Sequence, residues 1–149
     1  YRLSDINAAL GVSQLKKINK FIIYRRKVAK KYNNFFKNFE CCEIPVEKKN
    51  YYHSYHLYPL KINFRKIKLN KRKLFEYFFK KKIRLQVHYV PLFYHQHFKK
   101  KFNFIKKDYP NTEKFYNSEI SLPIYFGIGD KNIKYVYSTF ETFFKKYKK

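Results

Sequence analysis

The sequence predicts an α/β domain, in which a long amino-terminal helix precedes a small three-stranded sheet flanked by helices. Three observations support this class. Apolar residues recur at helical spacing over the first 38 residues, and strand-like aromatic segments then alternate with amphipathic ones. The chain has 149 residues, of which 45% are hydrophobic, which suits one domain with a modest core. We place the helix at residues 1–38 and the small α/β domain at 39–149.

The first element is predicted to be one amphipathic helix that begins after Ser4 and ends near Asn38. Ser4 is a favourable N-cap residue, and Asp5 places a negative charge in the first turn, where it interacts favourably with the helix dipole. We expect a bend near Gly11. The residues at helical spacing are Ile6, Leu10, Leu15, Ile18, Ile22, Ala29, Tyr32 and Phe36, and lysines occupy the opposite face.

The remainder of the chain alternates between predicted strands and helices. The strands are expected at 55–64, 83–90 and 119–124, and the helices at 70–82, from Pro110 onward and at 131–147. Pro59 indicates an edge strand or a bulge, because proline cannot donate a ladder hydrogen bond. The aromatic segment with His95 and His97 is predicted to be a loop.

The net charge of +25 is the most unusual number in the composition. Such a charge is typical of proteins with polyanionic partners, and AALGVSQL followed by lysines resembles a helix-turn-helix. The alternative function is therefore a basic nucleic-acid-binding module at residues 8–20. However, Lys, Asn, Ile, Phe and Tyr dominate the chain and all have AT-rich codons, and the lysines are not gathered in one stripe. Codon bias explains the charge, so we expect no nucleic-acid partner.

Several classes of site and location are disfavoured by the sequence. No apolar run reaches the roughly 18 residues that a membrane span requires, and the first ten residues lack the features of a signal peptide, so we expect a cytoplasmic protein. Cys41 and Cys42 are adjacent without metal-binding spacing and are expected to be reduced thiols. The His53–His56 and His95–His97 pairs have no nearby cysteine or acidic partner, so no metal site is predicted.

Four sequence blocks, taken together and in order, resemble a known enzyme family. They are YRLSDINAALGVSQLKKINKFIIYRRKVAKKY (1–32), HSYHLYPLKI (53–62), KIRLQVHYVPLFYHQHF (82–98) and FYNSEISLPIYFGI (115–128). In this order and spacing they resemble the carboxy-terminal portion of the DegT/DnrJ/EryC1/StrS aminotransferases, over essentially the whole chain. The QVHYVPL and YHQHF segments resemble the members that act in pseudaminic acid biosynthesis.

The resemblance implies a fold-type I pyridoxal phosphate enzyme that works as a homodimer. Such an enzyme would transfer an amino group from glutamate to a UDP-linked 4-keto-6-deoxy sugar. The helix at 1–38 would then lie at an interface between domains, with the large cofactor domain upstream of Tyr1. The family's Schiff-base lysine lies in that upstream domain, so we expect this chain to lack it and to be inactive alone. A start at Tyr1 suggests that the chain begins inside a longer reading frame.

The resemblance also implies candidate substrate-binding residues. His88, His56 and Tyr89 match positions near the sugar-nucleotide end of the pocket, where imidazole and phenol groups hydrogen-bond sugar hydroxyls. Arg2, beside Tyr1, is a candidate for binding an anionic group. The alternative for His56 and Tyr89 is that they pack in the core of the small domain. No catalytic residue is assigned within this chain, and the sequence does not identify the residues that contact the cofactor.

Two further expectations concern stability. Lys82 stands where the family carries glycine at the end of a helix, and a left-handed conformation there would cost a lysine about 1 kcal/mol. Apolar surface on the first helix would be exposed without a partner domain, so we predict that the chain aggregates in isolation.

Overall fold

The structure, a computed structural model, describes residues 2–67 and 69–147. Within these ranges it has six α-helices, three strands and three short 3-10 turns, at 64–66, 92–94 and 106–108. The helices are α1 Asp5–Leu15, α2 Ile18–Phe36, α3 Lys71–Lys80, α4 Gln96–Phe102, α5 Pro110–Ser118 and α6 Gly129–Tyr147. The strands β1 Cys42–Glu43, β2 Tyr58–Ile62 and β3 Glu119–Leu122 form an antiparallel sheet in the order β1-β2-β3. The predicted class, an α/β domain with a small three-stranded sheet, is confirmed.

The amino-terminal segment forms two helices where the sequence predicted one. Ser4 caps α1 as predicted, because its hydroxyl accepts a hydrogen bond from the Asn7 backbone N–H at 3.4 Å. The chain runs helically through Gly11 and is interrupted at residues 16–17, so the predicted position of the bend is wrong. The helix-turn-helix interpretation is unsupported, because Gly11 lies inside α1 and not in a turn.

α1 differs from α2 in its packing. Within the described part of the chain, α1 contributes no buried residue, whereas α2 buries Val28, Ala29, Tyr32 and Phe36. The large apolar side chains of and beside α1 are all exposed: Leu3, Ile6, Leu10, Val12 and Leu15. None of the helices in the described ranges is long and apolar enough to cross a membrane.

The central strand of the sheet is β2, although Pro59 predicted an edge position or a bulge. Pro59 lies opposite Ser121 on β3, and the backbone N–H and C=O of Ser121 both bond to Gln86 on its other side. Pro59 and Ser121 are therefore a non-hydrogen-bonded pair, and the nitrogen of Pro59 points away from β3. β1 pairs only with Lys61 and Ile62, so no described strand needs a donor from Pro59.

The prediction of a strand at 83–90 is wrong. Within the described residues this segment makes a single bridge, in which Gln86 pairs with Ser121. Two residues later the His88 backbone N–H donates to the Glu119 carboxylate at 3.3 Å, and not to a backbone carbonyl. A side-chain acceptor has replaced the next ladder bond, which ends the pairing. The third strand of the sheet is instead β1, which has two residues and was not predicted.

The helices predicted at 70–82, from Pro110 and at 131–147 are confirmed as α3, α5 and α6. The loop predicted around His95 and His97 is wrong in part, because α4 covers residues 96–102. Phe98 and Phe102 are four residues apart on this helix and stack with their ring centroids 6.0 Å apart. α4 ends at Asn103, which adopts a left-handed conformation.

The end of α3 has the left-handed geometry that was expected at Lys82, where the family carries glycine. Lys82 has a φ of +59°, in the left-handed region. The Ile83 N–H bonds to the Phe78 carbonyl at 3.0 Å, and the Lys82 N–H bonds to the Phe79 carbonyl at 2.9 Å. This is a Schellman motif, and the burial of both Ile83 and Phe78 supplies its usual hydrophobic contact. A helix end that favours glycine is therefore formed here by lysine.

The core lies where α2, α3 and α6 meet the sheet. Phe36, Phe78 and Phe140 contribute one aromatic ring from each of these helices, and all three are fully buried. The ring centroids of Phe36 and Phe140 are 4.9 Å apart, and those of Phe78 and Phe140 are 4.3 Å apart. Phe140 therefore connects the three helices, and aromatic pairs of this kind add to the stabilisation from burial alone.

Candidate functional site

A cavity of about 700 Å³ opens beside the carboxyl end of β3. Four parts of the chain form its wall: the segment just before β2, the segment after α3, the end of β3 with the loop that follows, and the first turns of α6. Two of the predicted site residues, His56 and His88, line this cavity. The other polar residues that line it are Lys82, Arg84, Gln86, Ser121, Tyr125, Asn132 and Tyr135.

The predicted site residues differ in their surroundings. His88 is half-buried, whereas His56 is exposed and Tyr89 is 76% exposed, so the alternative that His56 and Tyr89 pack in the core is wrong. Tyr89 follows a cis peptide bond, and its ring is perpendicular to that of His88, with centroids 4.9 Å apart. Arg2 is exposed before α1 and does not line the cavity. Tyr1 lies outside the described residues.

The position of His88 follows from the antiparallel pairing of its segment with β3. Gln86 and Ser121 exchange two backbone hydrogen bonds, of 3.1 Å and 2.8 Å. Since the two segments run in opposite directions, His88, two residues after Gln86, comes to lie opposite Glu119, two residues before Ser121. Residues two apart on an extended segment share a face. Glu119, Ser121 and His88 are thereby brought together.

These three residues form a hydrogen-bonded network at the cavity wall. Glu119 and Ser121 are buried, with 1% and 3% of their surfaces exposed. The Ser121 hydroxyl donates to Glu119 Oε1 at 2.5 Å, and Ser121 Oγ lies 2.8 Å from His88 Nδ1. The second carboxylate oxygen, Oε2, accepts from the His88 backbone N–H at 3.3 Å. The buried carboxylate therefore has a donor on each oxygen, as buried polar groups require.

Lys71, at the start of α3, supplies positive charge near this carboxylate. Burial lowers the pKa of Lys71, and the negative charge of Glu119 opposes that lowering. The ammonium group also donates to the Tyr116 carbonyl, and it lies 4.6 Å from the centroid of the Tyr116 ring. Glu119 is thus a buried acid with a cation nearby.

Glu119 and Ser121 were not predicted as site residues. The sequence carries a signal for them: E-x-S in the predicted strand at 119–124 and Q-x-H at 86–88 each place polar side chains on one face of an extended segment. Polar residues at alternate positions of a strand that is otherwise buried indicate a network or a site. What the sequence could not supply is the register that places one pair against the other.

The cavity also has a cationic side. Lys82 and Arg84 both line it and are exposed to solvent. On α6, the Asn132 amide donates to the Ile128 carbonyl at 2.8 Å, and the Tyr135 hydroxyl donates to a backbone carbonyl at the end of α3 at 3.1 Å. Chemically, the cavity offers two cations for an anionic group and imidazole groups for hydroxyls or amides.

A second, smaller cavity of about 400 Å³ lies beside α2. Here Arg26 makes two hydrogen bonds to the Glu47 carboxylate, at 2.6 Å and 3.1 Å, and stacks 4.1 Å from the centroid of the Tyr52 ring. The hydrogen bond from Arg26 lowers the pKa of Glu47, which also accepts from the His53 N–H at 2.7 Å. These contacts join α2 to the loop before β2, and we interpret the arrangement as structural.

Metal-binding side chains do not cluster in the part of the chain that the structure describes. In residues 2–67 and 69–147, no group of three or more histidine, cysteine, aspartate or glutamate side chains is placed to hold a metal ion. Cys41 and Cys42 have their sulfur atoms 3.9 Å apart and are free thiols.

Comparison with known proteins extends over nearly the whole chain. A UDP-4-amino-4,6-dideoxy-N-acetyl-beta-L-altrosamine transaminase of Campylobacter jejuni is 35% identical over 152 residues, which cover 100% of this chain and 39% of that protein. The solved structure of Helicobacter pylori PseC, an aminotransferase involved in the biosynthesis of pseudoaminic acid, has a TM-score of 0.85 and 30% identity, over 98% of this chain and 38% of that one.

The name of a second solved structure refers to the cofactor. It is the PLP-form of Spr1654 of Streptococcus pneumoniae, described as a sugar aminotransferase, with a TM-score of 0.86 and 25% identity over 97% of this chain and 36% of that one. The chain spans between 33% and 39% of the length of the curated relatives that it matches. The profile of the DegT/DnrJ/EryC1/StrS aminotransferase family matches residues 1–141. The chain belongs to the DegT/DnrJ/EryC1/StrS aminotransferase family.

Proposed function

We propose that this chain acts as the carboxy-terminal part of a pyridoxal phosphate-dependent aminotransferase that transfers an amino group from glutamate to a UDP-linked 4-keto-6-deoxy sugar. The family match over residues 1–141 is the observation that carries the proposal. The similarity to the Campylobacter transaminase supports the choice of sugar. When bound, pyridoxal phosphate supplies an electron sink for the transfer of the amino group.

The described lining of the large cavity does not fit the complete cofactor. A pyridoxal phosphate site needs a lysine amine to hold the cofactor and a charged partner for the pyridinium nitrogen. Among the described lining residues, Lys82 is the one lysine, and none is an aspartate or glutamate. Lys82 is also exposed and lies in a left-handed turn. We therefore assign cofactor binding mainly to a large domain outside this chain, and we propose that the chain alone is inactive.

The large cavity suits the sugar nucleotide better. His88 and His56 offer hydrogen bonds to sugar hydroxyl and amide groups. Tyr89 is next to His88 in the chain but outside the cavity lining, and its exposed ring is one that a sugar or base can stack on. On the cationic side, Lys82 and Arg84 match the charge of a diphosphate. Arg2 is proposed to bind an anionic group in the complete enzyme.

The exposed apolar residues of α1 suit an interface. α1 contributes no buried residue within the described chain, although leucine, isoleucine and valine side chains follow its length. Exposed apolar patches of this kind are typical of surfaces that another domain or subunit covers. We propose that α1 packs against the large domain and that the complete enzyme is a homodimer.

A binding experiment tests the assignment of the cavity. The enzyme that contains this chain is titrated with UDP-N-acetylglucosamine by isothermal calorimetry, and we expect His88→Ala to weaken binding at least about tenfold, or ~1.4 kcal/mol. His97→Ala is the matched control, because His97 is exposed and lies outside the cavity lining. Equal losses in both variants, or none in either, would count against the cavity. A DNA duplex at two salt concentrations tests the nucleic-acid alternative in the same instrument.

An activity experiment tests the reaction itself. The enzyme that contains this chain is incubated with pyridoxal phosphate, glutamate and a UDP-linked 4-keto-6-deoxy sugar, and the products are read by mass spectrometry. We expect an amino sugar together with 2-oxoglutarate. Formation of 2-oxoglutarate with a different keto sugar, and none with this one, would refute the proposed substrate.

A further inference from the structure

The network of Glu119, Ser121 and His88 constrains where the proton of the imidazole lies. A serine hydroxyl has one proton to donate, and Ser121 Oγ contacts both Glu119 Oε1, at 2.5 Å, and His88 Nδ1, at 2.8 Å. An ionised carboxylate can only accept. The Ser121 proton therefore lies toward Glu119, and Ser121 Oγ must accept from an Nδ1–H of His88.

The surroundings of Glu119 present hydrogen-bond donors and a positive charge to its carboxylate. Both of its oxygens face donors, the Ser121 hydroxyl and the His88 backbone N–H. The positive charge of Lys71 is close enough to interact with it. A carboxylate that accepts at both oxygens leaves the Ser121 hydroxyl as the donor in its contact with Oε1.

A neutral imidazole carries a single proton, so an Nδ1–H leaves Nε2 as a bare acceptor. His88 lines the large cavity, and its Nε2 has no hydrogen-bond partner among the described residues. We propose that Glu119 and Ser121 are positioning residues that hold His88 as the Nδ1–H tautomer and present Nε2 to the ligand as a hydrogen-bond acceptor. The role of the ligand in this inference rests on the proposed function.

This arrangement selects the chemistry that the ligand presents at His88. A bare Nε2 accepts from a hydroxyl or amide N–H and is mismatched with a phosphate or keto oxygen, which can only accept. The diphosphate would therefore bind at the Lys82 and Arg84 side, and a donor group of the sugar at His88. The network thus determines which end of a UDP-sugar enters each side of the cavity.

Glu119→Gln tests the positioning role, because a purely structural role of Glu119 would not change the tautomer of His88. The amide has one acceptor oxygen, which the His88 backbone N–H occupies, and its NH₂ group then faces Ser121 Oγ. Ser121 must now accept from the amide, so its own proton turns toward His88 Nδ1. The imidazole is thereby forced into the Nε2–H tautomer. A change in one buried acid inverts the hydrogen-bonding character of the imidazole without removing any side chain from the wall.

The tautomer is read by long-range ¹H–¹⁵N correlation on the labelled enzyme that contains this chain, at about pH 8.5, roughly two units above the usual pKa of imidazole. The expected result is an Nδ1–H signal for His88 in the wild type and an Nε2–H signal in Glu119→Gln. Glu141→Gln is the control, because Glu141 is exposed on α6, and it should keep the wild-type signal. If Glu119→Gln does not fold, Ser121→Ala replaces it, and we expect loss of the preference for Nδ1–H.

Two outcomes would overturn the inference: an Nε2–H signal in the wild type, or an Nδ1–H signal that persists in a folded Glu119→Gln or Ser121→Ala variant. The ligand arm of the experiment is separate. UDP-N-acetylglucosamine should bind Glu119→Gln at least about tenfold more weakly than wild type, because a donor then meets a donor. A wild-type Nδ1–H signal without any UDP-sugar binding would leave the positioning role intact and defeat the proposed function.

Discussion

Replacing Lys82 by glycine should stabilise the protein. Lys82 has a φ of +59° and closes the Schellman motif of α3 with its side chain exposed. A residue with a Cβ loses roughly 1–2 kcal/mol in the left-handed region, and glycine avoids this cost. Glycine also makes the unfolded chain more flexible, which offsets about 0.4–1 kcal/mol. The expected net gain is about 1 kcal/mol, or roughly 2–4 °C in Tm for a chain of this length.

The adjacent Lys81 supplies a matched control. It has a φ of −86°, which any residue adopts, so Lys81→Gly removes the same charge and adds the same flexibility without relieving strain. We expect this control to lose about 0.4–1 kcal/mol. Urea unfolding followed by circular dichroism measures both variants under identical conditions. A Lys82→Gly variant no more stable than Lys81→Gly would refute the reasoning.

Three further predictions follow from individual contacts. An arginine of α2 lowers the pKa of Glu47 through a hydrogen bond, so the stability that the Glu47 carboxylate contributes is fully present above about pH 4.3 and is lost as pH falls through the lowered value. The gap in urea midpoint between wild type and Glu47→Gln should therefore narrow as pH falls below about 4.3, and a constant gap would contradict this. Tyr137 has a buried hydroxyl without a partner among the described residues, so Tyr137→Phe should leave the free energy of unfolding unchanged or raise it by about 1 kcal/mol. Tyr58→Phe loses a 2.7 Å hydrogen bond and should lower the free energy of unfolding by about 1 kcal/mol. The opposite order of stabilities would be evidence that the Tyr137 hydroxyl is not buried and unpaired. The contact between the two thiols lowers the pKa of Cys41 to about 7, so iodoacetamide should alkylate Cys41 before Cys42 at about pH 7.5. Tandem mass spectrometry would show the order, and faster labelling of Cys42 would reverse the assignment.

Apart from α4, which was predicted to be a loop, the helices could be predicted because their signals are local. Ser4 caps α1 through a residue three positions away, and α3, α5 and α6 follow apolar periodicity within each segment. β1 was missed because two residues carry no recognisable pattern, and it forms only through pairing with β2. The break between α1 and α2 was placed five residues early, because glycine was taken as the weakest point of a helix that continues through it.

The site was predictable only in part, for a similar reason. His88 was identified from its sequence block, and the structure places it at the wall of the cavity. The residues that set its proton, Glu119 and Ser121, lie 31 and 33 positions further along the chain. Their relation to His88 depends on one backbone bridge, and local periodicity contains no information about register between segments that are distant in sequence.

The separation of α1 from α2 has a consequence for how the chain associates with other surfaces. α1 has 11 residues, and isolated helices shorter than roughly 12–15 residues are marginal in water. α1 has no buried residue in the described chain, so the surface that we propose covers its apolar side chains would add to its helical order. Part of the free energy of that association would then be used to order about three turns of backbone, at roughly 1–2 kcal/mol per residue. Folding of α1 and the proposed assembly would form one coupled equilibrium, in which amide exchange along α1 would report occupancy of the surface.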